Sequence, residues 1–283
     1  MISKLRQVLS DLKFIRECLA YPTVELLPEM DAWYSRANPI LWANACGGRL
    51  HLYGNSQEAI EDSLMRGLKI LEVDVCFTSD GIPVLSHLFE PNYEIQFDNV
   101  PSAKEFLSTK VNSRFTPLTF DRFLEKYAEL EGVYFSVDPC SAGGKGNLLE
   151  YIREHVAESV CKKIIYQTYF LKTTRAAASF GFASVHFGVD YIFARRMYWR
   201  IPYLIRALKA IGVRSVSLQD RPITPDVIAG VGQFADAGLV VSVAKVDSVA
   251  RARKWMAAGV RCFNTRMLSP ADFDEGGSYG ASN

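Results

Sequence analysis

From residue 40 onward, short β-rich runs alternate with helical stretches, and this rhythm constrains the fold more than any other feature of the chain. The first run extends from Ile40 to Cys46 and is followed by a helical pattern from Ser56 to Gly67. Strands are predicted at Lys69 to Phe77 and Pro83 to His87, joined by the turn residues Ser79-Asp-Gly-Ile82. Helical spacing from Leu118 to Leu130 precedes a strand at Val133 to Pro139, and a helix from Asn147 to Glu158 precedes one at Lys163 to Tyr169. Further strands are expected at Val189 to Ala194, Arg214 to Leu218, Leu239 to Lys245 and Arg261 to Thr265. About eight strand and helix units close into a (β/α)8 TIM barrel, an α/β fold whose chemistry sits at the C-terminal ends of the strands. An open doubly wound sheet is the alternative, but neither a G-x-G-x-x-G nor a G-x-x-x-x-G-K-[ST] loop is present to support its nucleotide-binding forms.

Charge and cysteine usage narrow the partners. Lys and Arg number 32 against 31 Asp and Glu, a net charge of +1, which argues against a broad nucleic-acid surface and leaves only a local anion site. No apolar run reaches the length of about 18 residues that a membrane span needs. Six cysteines, at 18, 46, 76, 140, 161 and 262, are scattered without C-x-x-C or zinc spacing and fit a reducing, cytoplasmic compartment. Three regions are expected: an N-terminal helical extension (1–38), the barrel (39–270) and a Gly-rich flexible tail (271–283). Within the extension, Ile2, Leu5, Val8, Leu9, Leu12, Ile15 and Leu19 form an amphipathic stripe, expected to pack on the barrel, with a membrane or partner surface as the other reading.

Ile70-Leu-Glu-Val-Asp-Val-Cys76 is the segment that speaks most directly to chemistry, because two acids interrupt a strand that a barrel would bury. Strand side chains alternate faces, so Glu72 and Asp74 share the barrel axis while Leu71, Val73 and Val75 meet the helices. Two neighbouring, desolvated carboxylates raise each other's pKa unless a cation or donors neutralise them. Asp138, at the end of Val133-Tyr-Phe-Ser-Val137, is a third acid at a strand end. Three oxygen ligands suit Mg²⁺ or Ca²⁺ better than zinc, and pairing with a barrel Arg or Lys is the competing arrangement.

Other rim residues complete the candidate list. His87 ends its strand and is a candidate acid or base, or a plain hydrogen-bonded rim residue. His51 lies in the first loop. Arg195 and Arg196 are candidates to fork onto a phosphate and Trp199, with Tyr198, to stack on a sugar, the same segment reading equally as a solvated helix start. Lys245 and Arg49 are further candidates for the anion. The irregular stretch from Leu88 to Thr116 brings Phe89, Tyr93 and Phe97 as possible pocket walls.

Ala43-Asn-Ala-Cys-Gly-Gly48, Tyr53-Gly-Asn-Ser-Gln-Glu-Ala59, Leu71-Glu-Val-Asp74, Thr78-Ser-Asp-Gly81 and Val84-Leu-Ser-His87 together resemble the glycerophosphodiester phosphodiesterase family, and the resemblance continues through Asp138, Leu239 to Asp247 and Gly259 to Thr265. It implies a barrel phosphodiesterase in which Glu72, Asp74 and Asp138 hold a divalent metal, Mg²⁺ or Ca²⁺, against a small-molecule glycerol-type or sugar-type diester. It also implies two catalytic histidines. His87 matches the second, whereas Asn44 stands where the first belongs, and an amide cannot exchange a proton near neutral pH. An introduced His to Asn change, a natural one-histidine enzyme and a binding protein on a retired catalytic frame are the three explanations, with an active lineage favoured. Leu88 replaces the family's Asp after the second histidine, and Pro139 and Cys140 replace its Lys after the third acid.

Overall fold

A computed structural model describes residues 2–22, 39–47, 54–87, 99–108, 115–140 and 146–274, with side chains in the first helix described from residue 9. The elements run α1 (Ile2–Leu19), β1 (Ile40–Ala43), α2 (Gln57–Met65), β2 (Ile70–Phe77), β3 (Pro83–Leu85), α3 (Ala103–Ser108), α4 (Phe120–Tyr127) and β4 (Tyr134–Pro139). They continue as α5 (Leu148–His155), α6 (Glu158–Cys161), β5 (Ile164–Thr168), α7 (Leu171–Ala178), β6 (Ser184–Gly188), α8 (Asp190–Ala194) and α9 (Ile201–Ile211). The last are β7 (Ser215–Gln219), α10 (Pro225–Asp236), β8 (Val240–Ala244), α11 (Val249–Met256) and β9 (Cys262–Thr265). Side-chain caps start several helices: Ser56, Thr119, Asn147, Thr224 and Ser248 each accept a hydrogen bond from a first-turn backbone N–H, as orphan donors there require.

Eight parallel strands close in the order β1-β9-β8-β7-β6-β5-β4-β2, with β1 pairing β2 to complete the (β/α)8 barrel. The ninth strand, β3, pairs antiparallel with the C-terminal half of β2 and so extends its edge toward the mouth. Alternation sorts the core into two layers. Ile40, Trp42, Ile70, Ile165 and Cys262 pack together inside the barrel as its floor. Leu41, Ala43, Leu71, Val73, Val75, Phe135 and Val137 belong to the larger cluster under the helices. Ile70, Glu72 and Asp74 therefore share the inner face, as the two-residue period requires.

Three expectations need correction. Val189 to Ala194 is not a strand: β6 lies one step earlier and α8 occupies this stretch. Ser184-Val-His-Phe-Gly188 carries apolar side chains at only two positions because its other face lines a polar barrel interior, while buried Val189, Ile192 and Phe193 have the i, i+3, i+4 spacing of a helix. The strand expected to reach Cys46 stops at Ala43, because Ala45 (φ 49°) and Cys46 (φ 61°) are left-handed. α1 packs against α9 as expected, but not through the leucines of the stripe whose side chains are described. Leu9, Leu12 and Leu19 are exposed, and the helix is held instead by Cys18, by Phe14 against the Arg200 guanidinium, and by an Asp11–Arg200 ion pair.

One buried titratable group inside the barrel makes a pH prediction. His186 is fully buried, its Nδ1 lies 2.6 Å from the Ser215 hydroxyl and its ring 4.8 Å from that of Trp42. Loss of hydration pushes its pKa down to about 3. The fold therefore holds it neutral while an unfolded chain takes up a proton below about pH 6.5. Its contribution is complete above that pH and is lost as pH falls toward 3, by at most about 1.4 kcal/mol per pH unit. Urea midpoints measured from pH 7 to pH 4 should fall less steeply for His186→Gln than for the parent, and parallel curves would remove His186 from the account.

Candidate active site

Backbone strain at the end of β1 starts the site. After Ala43 the chain turns through left-handed Ala45 and Cys46 and then Gly47 (φ 80°), where a side chain would meet the Ser63 hydroxyl at 2.1 Å. This turn delivers two donors to one carboxylate oxygen: the Ala45 N–H at 2.5 Å and the Asn44 amide at 3.1 Å, both on Glu72 Oε2. Buried Asn55 (φ 59°) grips Asp74 twice, donating from Nδ2 to Oδ2 at 2.9 Å and accepting the Asp74 backbone N–H at 3.1 Å. Register places Asp74 directly beside Asp138, and the Tyr169 hydroxyl donates to Asp138 Oδ2 at 2.6 Å. Glu72, Asp74 and Asp138 each present an oxygen within 4.8 Å of the others.

Electrostatics make this cluster costly without a cation. Burial pushes the Glu72 carboxyl well up, the charges of Asp74 and Asp138 add to it, and the Ala45 N–H and Arg266 offset part. Asp74 is raised by burial, against the opposing effects of Asn55, His87 and Arg266. Asp138 is pushed up to about 7 by burial and by Asp74, with the Tyr169 hydrogen bond pulling the other way. Among the described residues, no Lys or Arg forms an ion pair with any of the three. An all-oxygen donor set, largely buried and without an ion-pair partner among the described residues, fits a hard divalent cation.

Around the acids a cleft of about 560 Å³ opens at the C-terminal ends of the strands. Asn44, His87 and Lys245 line it, as do the three acids. Arg195, Arg196 and Trp199 do not: Arg195, Arg196 and Trp199 are exposed on the stretch that follows α8, which carries the chain down toward Arg200 and the α1 contact. Arg49 and His51 lie outside the described residues, as do Phe89, Tyr93 and Phe97. Gln167, Tyr169, Asn264 and Arg266 also line the cleft and were not anticipated, although Tyr169 and Arg266 each fall one residue beyond a strand, a position the barrel rule marks. A larger hollow of about 770 Å³ between α1, α7 and α9 gathers no comparable group of carboxylates.

Fold and cluster together define a (β/α)8 barrel with an acidic, oxygen-lined centre at the C-terminal ends of its strands. Its similarity to solved structures is specific. A glycerophosphodiester phosphodiesterase from Agrobacterium tumefaciens superposes with a TM-score of 0.59 at 15% identity, covering 83% of this chain and 98% of that one. One from Thermotoga maritima gives 0.62 at 15% identity, covering 81% and 94%. An Oleispira antarctica phosphodiesterase in complex with the product sn-glycerol-3-phosphate gives 0.61 at 14%, covering 83% and 95%. No family model and no curated protein sequence matches the chain. The shared feature is the fold.

Proposed function

We propose that this protein is a metal-dependent phosphodiesterase of the glycerophosphodiester phosphodiesterase family, acting on a glycerophosphodiester or a sugar phosphodiester. The observation that carries the reading is the convergence of two buried carboxylates and one half-buried carboxylate within 4.8 Å at the mouth of a barrel of this fold. Glu72, Asp74 and Asp138 would hold Mg²⁺ or Ca²⁺, which supplies Lewis-acid stabilisation of charge on the phosphoryl oxygens. Asn55 and Tyr169 fix the orientation of two of these acids through their hydrogen bonds. His87, exposed on the cleft rim, protonates the leaving oxygen or takes the proton of the nucleophile. Water as nucleophile gives hydrolysis, and a neighbouring substrate hydroxyl gives a cyclic phosphate.

Asn44 favours a second reading. Its amide holds Glu72 but cannot carry a proton, which suits a phosphodiester-forming transferase or a phosphosugar-binding module on the same frame. Six unpaired thiols support a cytoplasmic setting, and no helix among the described residues is long and apolar enough to cross a membrane. A panel of glycerophosphodiesters and sugar phosphodiesters, assayed with Mg²⁺ or Ca²⁺, tests the assignment. Turnover that EDTA abolishes and the cation restores is the expected result. Binding of these compounds without turnover, with or without metal, would replace the hydrolase by the binding module.

A further inference from the structure

We propose that Arg266, assisted by Lys245, anchors the phosphoryl oxygens of the substrate on the β8–β9 side of the cleft, an assignment that rests on the phosphodiesterase reading. Topology supplies the first argument. Lys245 follows β8 and Arg266 follows β9, neighbouring strands in register through Ala244 and Asn264. Counting round the closed barrel, β8 lies four strands from β4, so Lys245 stands opposite Asp138, while β9 lies two strands from β2, which brings the Arg266 charge within reach of Glu72 and Asp74. The strands that bear the acids end in Phe77 and in Pro139, followed by Cys140, and supply no cation of their own.

Pairing supplies the second. Two other acids line the cleft, and each is engaged by an arginine: Asp190 by Arg221, and Asp220 by Arg251 at 2.6 Å. Lys245 and Arg266 line the same cleft, and among the described residues neither has a carboxylate partner. The Arg266 Nε is enclosed by protein and makes no hydrogen bond, and among the described residues the guanidinium forms no ion pair. Arg266 as a whole is half-buried and lines the cleft, so its charge remains available to an anionic ligand there.

Charge balance supplies the third. Three carboxylates with one divalent cation leave the centre at −1, and a phosphodiester brings another −1. Arg266 and Lys245 supply +2. A guanidinium also offers two parallel donors that match two phosphoryl oxygens, which a single ammonium cannot.

Calorimetric titration of inorganic phosphate into the Mg²⁺-loaded protein tests the assignment. Arg266→Gln should weaken phosphate binding about 10- to 100-fold, the loss expected for a charge-assisted hydrogen bond, and Arg266→Lys should recover part of it. Mg²⁺ affinity, measured separately, should stay the same or tighten in Arg266→Gln, because a positive charge near Glu72 and Asp74 has been removed. With a diester substrate, KM should rise far more than kcat falls. Equal phosphate affinity in parent and Arg266→Gln overturns the anchor, and so does loss of Mg²⁺ binding, which marks a merely structural residue. If no diester is turned over but phosphate binding still depends on Arg266, the hydrolase reading fails and the anchor stands.

Discussion

Divalent cations should raise the melting temperature of the metal-free protein by about 5 °C at a cation concentration 100 times its Kd, the equivalent of about 2.7 kcal/mol for a chain of this size. The cause is the trio of buried Glu72 and Asp74 and half-buried Asp138, whose oxygens lie within 4.8 Å of one another. Burial raises all three carboxyl pKa values, and neighbouring carboxylates add to the rise at Glu72 and Asp138, so the charged forms disfavour the metal-free fold. For Asp138 the sign is explicit. With its folded pKa near 7 against about 4 unfolded, the fold keeps a proton that the unfolded chain releases, and this contribution declines as pH rises through that window. Glu72→Gln removes one charge while keeping an oxygen to accept from Ala45 and Asn44, and it should make the metal-free protein more stable than the parent at pH 7. The same variant should lose the Mg²⁺ or Ca²⁺ response. His186 acts in the opposite sense over an overlapping range, so the comparison is made between proteins at one pH. Scanning calorimetry with and without cation decides it: a parent that ignores the cation, or a Glu72→Gln protein that still responds, removes the metal centre.

Asn44→His should raise kcat on a cleavable diester by about 10²- to 10⁴-fold, the range for gaining a positioned acid or base. Asn44 already lines the cleft and places its amide 3.1 Å from Glu72 Oε2. An imidazole there can donate one N–H to the same oxygen and turn its other nitrogen toward the substrate, sharing proton transfer with His87. The cation-induced rise in melting temperature should persist, which separates gain of chemistry from rearrangement of the acids. A Asn44→His protein no faster than the parent, with its cation response intact, assigns the missing proton step elsewhere and favours a one-histidine mechanism or a binding role.

Much of the centre was legible in the chain because strand alternation is local. Ile70-Leu-Glu-Val-Asp-Val-Cys76 assigns Glu72 and Asp74 to one face, and the strand and helix rhythm implies the barrel whose mouth they reach. The apolar run before Asp138 likewise marks it as a strand-end acid. Other features depend on contacts between distant segments. Barrel closure sets the register that puts Asp74 beside Asp138, and Ala45 and Asn55 bring donors from 27 and 19 residues away onto Glu72 and Asp74. Arg195, Arg196 and Trp199 carried the right chemistry for a phosphosugar, but α8 replaced the strand expected there and its sequel leads away from the cleft. Arg266 had no distinguishing motif, and only its position beyond β9 brought it to the wall. Periodicity thus determined which face each acid occupies, while register, loop path and ring closure decided which groups meet, because those depend on hydrogen bonding and packing between segments far apart in sequence.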